Sequence, residues 1–199
     1  MDGYRLTEEI FLKDVKDHKI SIIKEDGIYR HIRLARPETR TMAFEIVTWP
    51  GYLAYTGDMG DFIFSRTDDM FTFFRSKDGL SIDPGYWSEK VKAESVFGDG
   101  IRQFSVDEFQ EAVICATREY FDLEENATIP DDILEELEPL LDADNKIECV
   151  SAMWRFDSDK IRFDDFWENT VTRQTWHYIW ACYAIAWAVI QYDNIEDKP

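Results

Sequence analysis

Four aspartates in the first half of the chain, Asp58, Asp61, Asp68 and Asp69, are the residues whose type and spacing come nearest to catalytic chemistry. Asp58 and Asp61 flank a turn and Asp68 and Asp69 open the next helix, so two of them could share one Mg²⁺ or Ca²⁺, ions that take hard oxygen ligands. A metal-dependent hydrolase built on Asp58 and Asp61 is one function this pattern allows. The competing explanation is local, since aspartate is an ordinary turn residue and helix cap whose carboxylate accepts nearby backbone N–H groups. Other reactive groupings are lacking. His18, His31 and His177 are isolated, with no HExxH and no His-Cys cluster. The turn GDMGD, residues 57–61, has no lysine to meet a phosphate and joins two strands instead of opening a helix. Cys115, Cys149 and Cys182 lie far apart among apolar neighbours and make no CxxC, which predicts three reduced, buried thiols in a cytoplasmic protein. Asp142, Asp144 and Asn145 imitate the opening of a calcium loop, but Lys146 and Met153 stand where ligands belong and the required glycine is missing. No cofactor, no metal site and no catalytic residue are therefore expected.

The elements around these residues are better signalled. Met42 to Trp49 and Tyr52 to Thr56 flank Pro50-Gly51, a turn dipeptide, and Phe62 and Phe64 lie two apart beyond the Gly57 to Gly60 turn, on one strand face. Upstream, Ile20 and Ile22, then Ile28, Ile32 and Leu34, alternate with polar residues about Glu25-Asp26-Gly27 and read as a hairpin. The expectation is an α+β fold with a five-stranded antiparallel meander over about residues 19–66, preceded by one helix from Thr7 and followed by a helical half packed on it. Helices are expected from Thr67 to about Lys77, from Pro84, from Ser105 to about Phe121, from Pro130 to a stop or kink at Pro139, from Lys146 to about Phe156, and from about Thr172 to Tyr192. Gly98-Asp99-Gly100 reads as a loop. A single domain over residues 1–199 is the expected organisation, with residues 1–66 as helix plus sheet and 67–199 helical and acidic.

Charge is the strongest compositional feature. Forty-one acidic residues against 22 basic ones give a net charge of -19, which disfavours direct contact with nucleic acid or anionic membranes and favours a basic partner. Residues 1–100 hold 18 acidic and 14 basic side chains, whereas residues 101–199 hold 23 and 8. Between Arg118 and Lys146 there is no base, while Glu119, Asp122, Glu124, Glu125, Asp131, Asp132, Glu135, Glu136 and Glu138 crowd together as candidate partner-binding residues. Such a run reads either as a solvated face or as a surface for lysines and arginines of another protein. Bases gather early, from Lys13 to Arg40, a polarity compatible with a homodimer or with pairing inside the fold. Met1 to Leu12 carries Asp2, Arg5, Glu8 and Glu9 where a secretory leader would be apolar, and Trp176 to Ile190 is shorter than the roughly 20 residues a bilayer needs. A protein without export or membrane spans is expected.

Over Ile32 to Trp87, the segments TMAFEIVTWPGYLAYTGDMGDFIFSR, DMFTFF and SIDPGYW resemble small acidic proteins encoded by phages and prophages of Gram-negative bacteria. The resemblance brings no catalytic residue with it. It implies a product made in the cytoplasm of the infected host cell, used against host machinery. By this resemblance the leading expectation is a non-enzymatic inhibitor of a nucleic-acid-binding defence complex, of anti-CRISPR or anti-restriction type, offering carboxylates where the target expects DNA phosphates. A structural or assembly role in the virion is the alternative beside the hydrolase.

Overall fold

Alternation of apolar and polar side chains decides the sheet. In the computed structural model, which describes residues 6–95 and 100–195, strands Lys19–Asp26 (β1), Tyr29–Ala35 (β2), Phe44–Trp49 (β3), Tyr52–Gly57 (β4) and Gly60–Ser65 (β5) pair antiparallel in chain order. Ile32 and Leu34, Phe44 and Ile46, Leu53 and Tyr55, and Phe62 and Phe64 are two apart on successive strands, and all are buried. The register sets Ile32 opposite Ile46, Ile46 opposite Tyr55 and Tyr55 opposite Phe62, so an apolar row crosses the sheet. Gly57 and Gly60 are fixed by space and by dihedral. A Cβ on Gly57 would lie 2.5 Å from the Ala43 carbonyl oxygen, and Gly60 has φ 96°.

The sheet has six strands, not the five expected. Val91–Glu94 (β6) pairs with β5, and the Ser65 N–H donates to Lys90 O at 3.0 Å as the pairing begins. The segment VKAE has no β-branched or aromatic run to announce it, and the open edge of β5 makes it a strand. β1 and β6 are the outer strands, and β1 carries a bulge between Ile22 and Lys24 that leaves Ile23 exposed.

One helix organises the buried face. Trp176–Asp193 (α7) is apolar nearly all round and packs against β1 and β5 and against Glu8–Val15 (α1), Met70–Phe74 (α2) and Pro84–Ser88 (α3). The starts of these helices follow their caps, with Thr7, Asp69, Asp83 and Thr175 each accepting a backbone N–H two or three residues on. The last helix begins at Trp176 instead of Thr172, because the Thr175 hydroxyl accepts the Tyr178 N–H at 3.1 Å while Thr172–Gln174 (β8) pairs with Arg102–Phe104 (β7). The Trp180 ring meets Phe11 edge-on at 5.1 Å and Phe44 at 5.8 Å, and its indole N–H donates to Asp14. Among the described residues no helix is long and apolar enough to cross a membrane.

Arg30 on β2 joins the pieces. It is only 9% exposed, and two of its nitrogens donate to the Asp69 carboxylate at 2.9 and 3.0 Å while its Nε donates to the Tyr192 hydroxyl at 3.2 Å. Its guanidinium carbon stands 4.7 Å from the Phe71 ring centre and 5.4 Å from that of Tyr192. The Tyr192 hydroxyl in turn donates to Glu25 at 2.5 Å. Burial alone would raise the Asp69 carboxyl, but the Arg30 fork and the Phe71 N–H outweigh it and hold the group below its usual range.

The chain groups into two compact units, Met1–Ile101 with Gln174–Pro199, and Arg102–Arg173. Residues 67–101 and α7 group with the sheet, and α7 completes the core of the first unit. The loop read at Gly98 and Asp99, and the charges Asp2 and Arg5, lie outside the described residues.

Two outcomes follow from this packing. Arg30→Met strands the Asp69 carboxylate and the Tyr192–Glu25 pair, and urea unfolding is expected to show a loss of about 3 kcal/mol, whereas a loss near zero would mean the cluster contributes nothing. His18 donates from Nε2 to Met42 O at 3.0 Å, and its Nδ1 is buried without a partner. Burial lowers its pKa, helped by Arg36 and opposed by the Met42 bond and by Asp14 and Asp17. The neutral ring is therefore the native form, and stability present above pH 6.5 should decline as pH falls below it. A His18→Gln variant should lose that dependence between pH 7.5 and 5.5, as read by melting temperature.

Candidate functional site

The second unit holds 20 acidic and 7 basic residues. Its frame is Val106–Tyr120 (α4), Asp131–Leu141 (α5) and Lys146–Arg155 (α6), around Phe109, Val113, Ile133, Leu137, Leu140, Cys149 and Phe166. Ser105 caps α4 through the Glu108 N–H at 3.3 Å, and Asn145 caps α6 through the Glu148 N–H at 3.1 Å. Cys115 is exposed, correcting the expectation of three buried thiols, because Phe109, Ala112, Val113 and Thr117 form the inward stripe of α4. Cys149 and Cys182 are buried, and burial pushes both thiols above their ordinary range.

α5 is the most heavily charged element. Its N-cap is Pro130, which supplies no side-chain bond, and its first turn holds Asp131 and Asp132. Pro139 lies inside the helix and does not end it, since α5 runs on to Leu141. At 3.6 residues per turn, Asp131, Glu135, Glu138 and Asp142 fall within about 60° of one another, opposite buried Ile133, Leu137 and Leu140. Asp132 and Glu136 make a second row. Lys160 reaches both, with Nζ 3.0 Å from Asp132 and 3.6 Å from Glu136, and the carboxylates raise its pKa, the Asp132 bond foremost. The end of α5 has no cation; instead the Gln110 amide donates to Leu141 O at 2.6 Å.

Glu119 lies in the last turn of α4, and Asp122, Glu124 and Glu125 occupy the connection to α5, where Asp122 takes φ 51° as the helix closes. These four, with Asp131, Glu135 and Glu138, are exposed and have no ion-pair partner among the described residues. Only Asp132 and Glu136 of the nine candidates are matched. Between α5 and α6 lies a groove of about 840 Å³ lined by Asp132, Glu135, Glu136, Asp142, Glu148 and Asp157 against the bases Arg155 and Lys160. Glu119 to Glu125 do not line this groove. Glu148 and Asp157 were missed as sequence candidates, although treating α5 and α6 as a helical hairpin places Glu148, one turn into α6, beside Asp142.

Three of the four aspartates considered for metal chemistry are occupied locally. Asp58 accepts the Met42 N–H at 2.8 Å, Asp61 accepts the Thr56 hydroxyl, and Asp69 serves Arg30 and caps α2. His31 pairs with Glu45 at 2.7 Å. Among the described residues no three His, Cys, Asp or Glu side chains are grouped to hold a metal ion. No family model, no curated protein and no solved structure matches the chain.

The α5 face is maintained against its own electrostatics. Asp131 with Glu135, Asp132 with Glu136, Glu135 with Glu138, and Glu138 with Asp142 are like-charge neighbours three or four apart, together costing about 1–2 kcal/mol. Acids in the last turn also oppose the helix dipole. Glu138→Lys is therefore expected to stabilise the protein by about 1 kcal/mol in low salt, with the gain shrinking in 0.5 M NaCl. A destabilised variant would mean that an attractive contact holds Glu138.

Proposed function

We propose that the protein is a non-enzymatic acidic binding protein that covers a basic, nucleic-acid-binding surface of a partner protein. The observation that carries this reading is the row of exposed, unpaired carboxylates along α5, kept at a cost in helix stability. Its charge density fits the role. Six acids from Asp131 to Asp142 span about 16.5 Å of helix axis, one per roughly 3.3 Å, against one phosphate per 3.4 Å along a single DNA strand. Lys160 offsets part of that charge. The whole helix therefore carries acids at about the spacing of phosphates on one strand, and with Asp132 and Glu136 shared with Lys160 the unpaired row keeps about one per 5.5 Å, which a lysine- or arginine-lined groove would pair in place of phosphates.

The phage-type resemblance over Ile32 to Trp87 supports a host defence complex as the target, in the cytoplasm of the infected cell, with inhibition by occupancy. The first unit is then the scaffold, and the acidic unit makes the contact. Competition with labelled duplex DNA for purified host DNA-binding defence complexes tests the proposal. The protein is expected to displace DNA in 50 mM salt, to bind more than about tenfold weaker in 200 mM salt, and to fail when Glu135→Lys and Glu138→Lys are combined. Association indifferent to both salt and the double substitution would sink it.

A further inference from the structure

Beyond the end of α6 the second unit opens a cleft of about 710 Å³, formed with the segment that follows it up to Glu168. Two indoles stand on it. Trp154 is 78% exposed and Trp167 is 44% exposed, large fractions for a side chain able to bury 150–250 Å². Trp167 is backed from within, its ring 5.3 Å from Phe166 and 6.3 Å from Phe109. Asp157, Asp164, Asp165 and Glu168 line the same cleft and have no ion-pair partner among the described residues, and Arg162 is the single base of its lining.

We propose that this cleft receives an arginine side chain of the basic partner. Indole faces attract cations, and a guanidinium suits them best because it is planar and weakly hydrated while its fork of N–H donors reaches carboxylates at its rim. A lysine ammonium is held more tightly by water and offers no stacking plane. A divalent cation would want a tight set of oxygens, and no such group of three exists among the described residues. Phe156 and Asp157 line both this cleft and the acidic groove between α5 and α6, so the two are continuous. The α5 charges attract a basic surface from a distance, and the cleft selects arginine at contact. The assignment rests on the acidic-surface reading, because the partner's basic surface delivers the side chain.

Calorimetric titration of the full chain with hexa-arginine, hexa-lysine and spermine tests it. Hexa-arginine is expected to bind about fivefold or more tighter than hexa-lysine, and Trp154→Ala to erase that preference by weakening hexa-arginine more than hexa-lysine. Asp164→Asn with Asp165→Asn should reduce the preference in the same direction. The Glu135→Lys, Glu138→Lys pair should weaken both peptides alike and keep the preference, so failure of the α5 proposal alone would leave the Trp154-dependent selectivity standing. Equal binding of the two peptides, a preference that survives Trp154→Ala, or no binding at all overturns the cleft. Spermine held through Trp154 as tightly as hexa-arginine overturns the assignment to a partner's side chain and makes a free polyamine the ligand.

Discussion

The buried guanidinium of Arg30 is the constraint around which the first unit closes. A charge 9% exposed is tolerable only where it is paired and hydrogen-bonded, and here that takes an aspartate capping α2, the phenylalanine two residues on, and a tyrosine near the end of α7. The Arg30 to Tyr192 bond spans 162 positions of sequence. The sheet can therefore pair locally, strand after strand, but its apolar face is not sealed until the last helix arrives. Residues 102–173 are an excursion between two parts of one core, and the ends of that excursion meet in the β7–β8 ribbon. Insertion at such a site is tolerated when the entering and leaving strands lie side by side.

The two units spend their charged residues differently. In the first, several charges are engaged in structure: Asp69 on Arg30, Asp193 on Arg75, Glu45 shared between His31 and Arg33, and Asp14 on the Trp180 indole. In the second, α5 repeats acids at intervals that repel and closes without a cation at its carboxyl end. Stability alone would have interspersed lysines there. The exposed indoles of Trp154 and Trp167 belong to the same pattern, apolar area left facing solvent in the unit that also concentrates uncompensated charge.

Much of the fold was legible in the sequence where one local rule acts alone. Period-two alternation and turn dipeptides located β1 to β5, and the caps at Thr7, Asp83 and Ser105 located three helix starts, whereas the helix expected from Thr67 to about Lys77 is only Met70–Phe74, begun by the Asp69 cap. What escaped was set by partners distant in sequence. β6 and β8 are short polar segments that become strands only because a neighbouring edge is open to them. Of the candidate surface, the α5 acids were visible as a run without bases, but Glu148, Asp157 and the aromatic cleft depend on how α6 folds back, which no spacing within one helix reveals. Arg30 was legible only as one cation in a basic stretch; its burial is a property of the tertiary fold.

An open six-stranded sheet has two rims of unpaired backbone groups, and each is a template on which another chain could add a strand. On one side the β1 bulge at Ile22 and Lys24 breaks the register that an incoming strand would need, with lysines at 19 and 24 beside it. On the other, β6 is only four residues long and bears Lys92 and Glu94. Irregularity, brevity and charge thus guard both rims of a sheet rich in aromatic strands against the addition of a further strand.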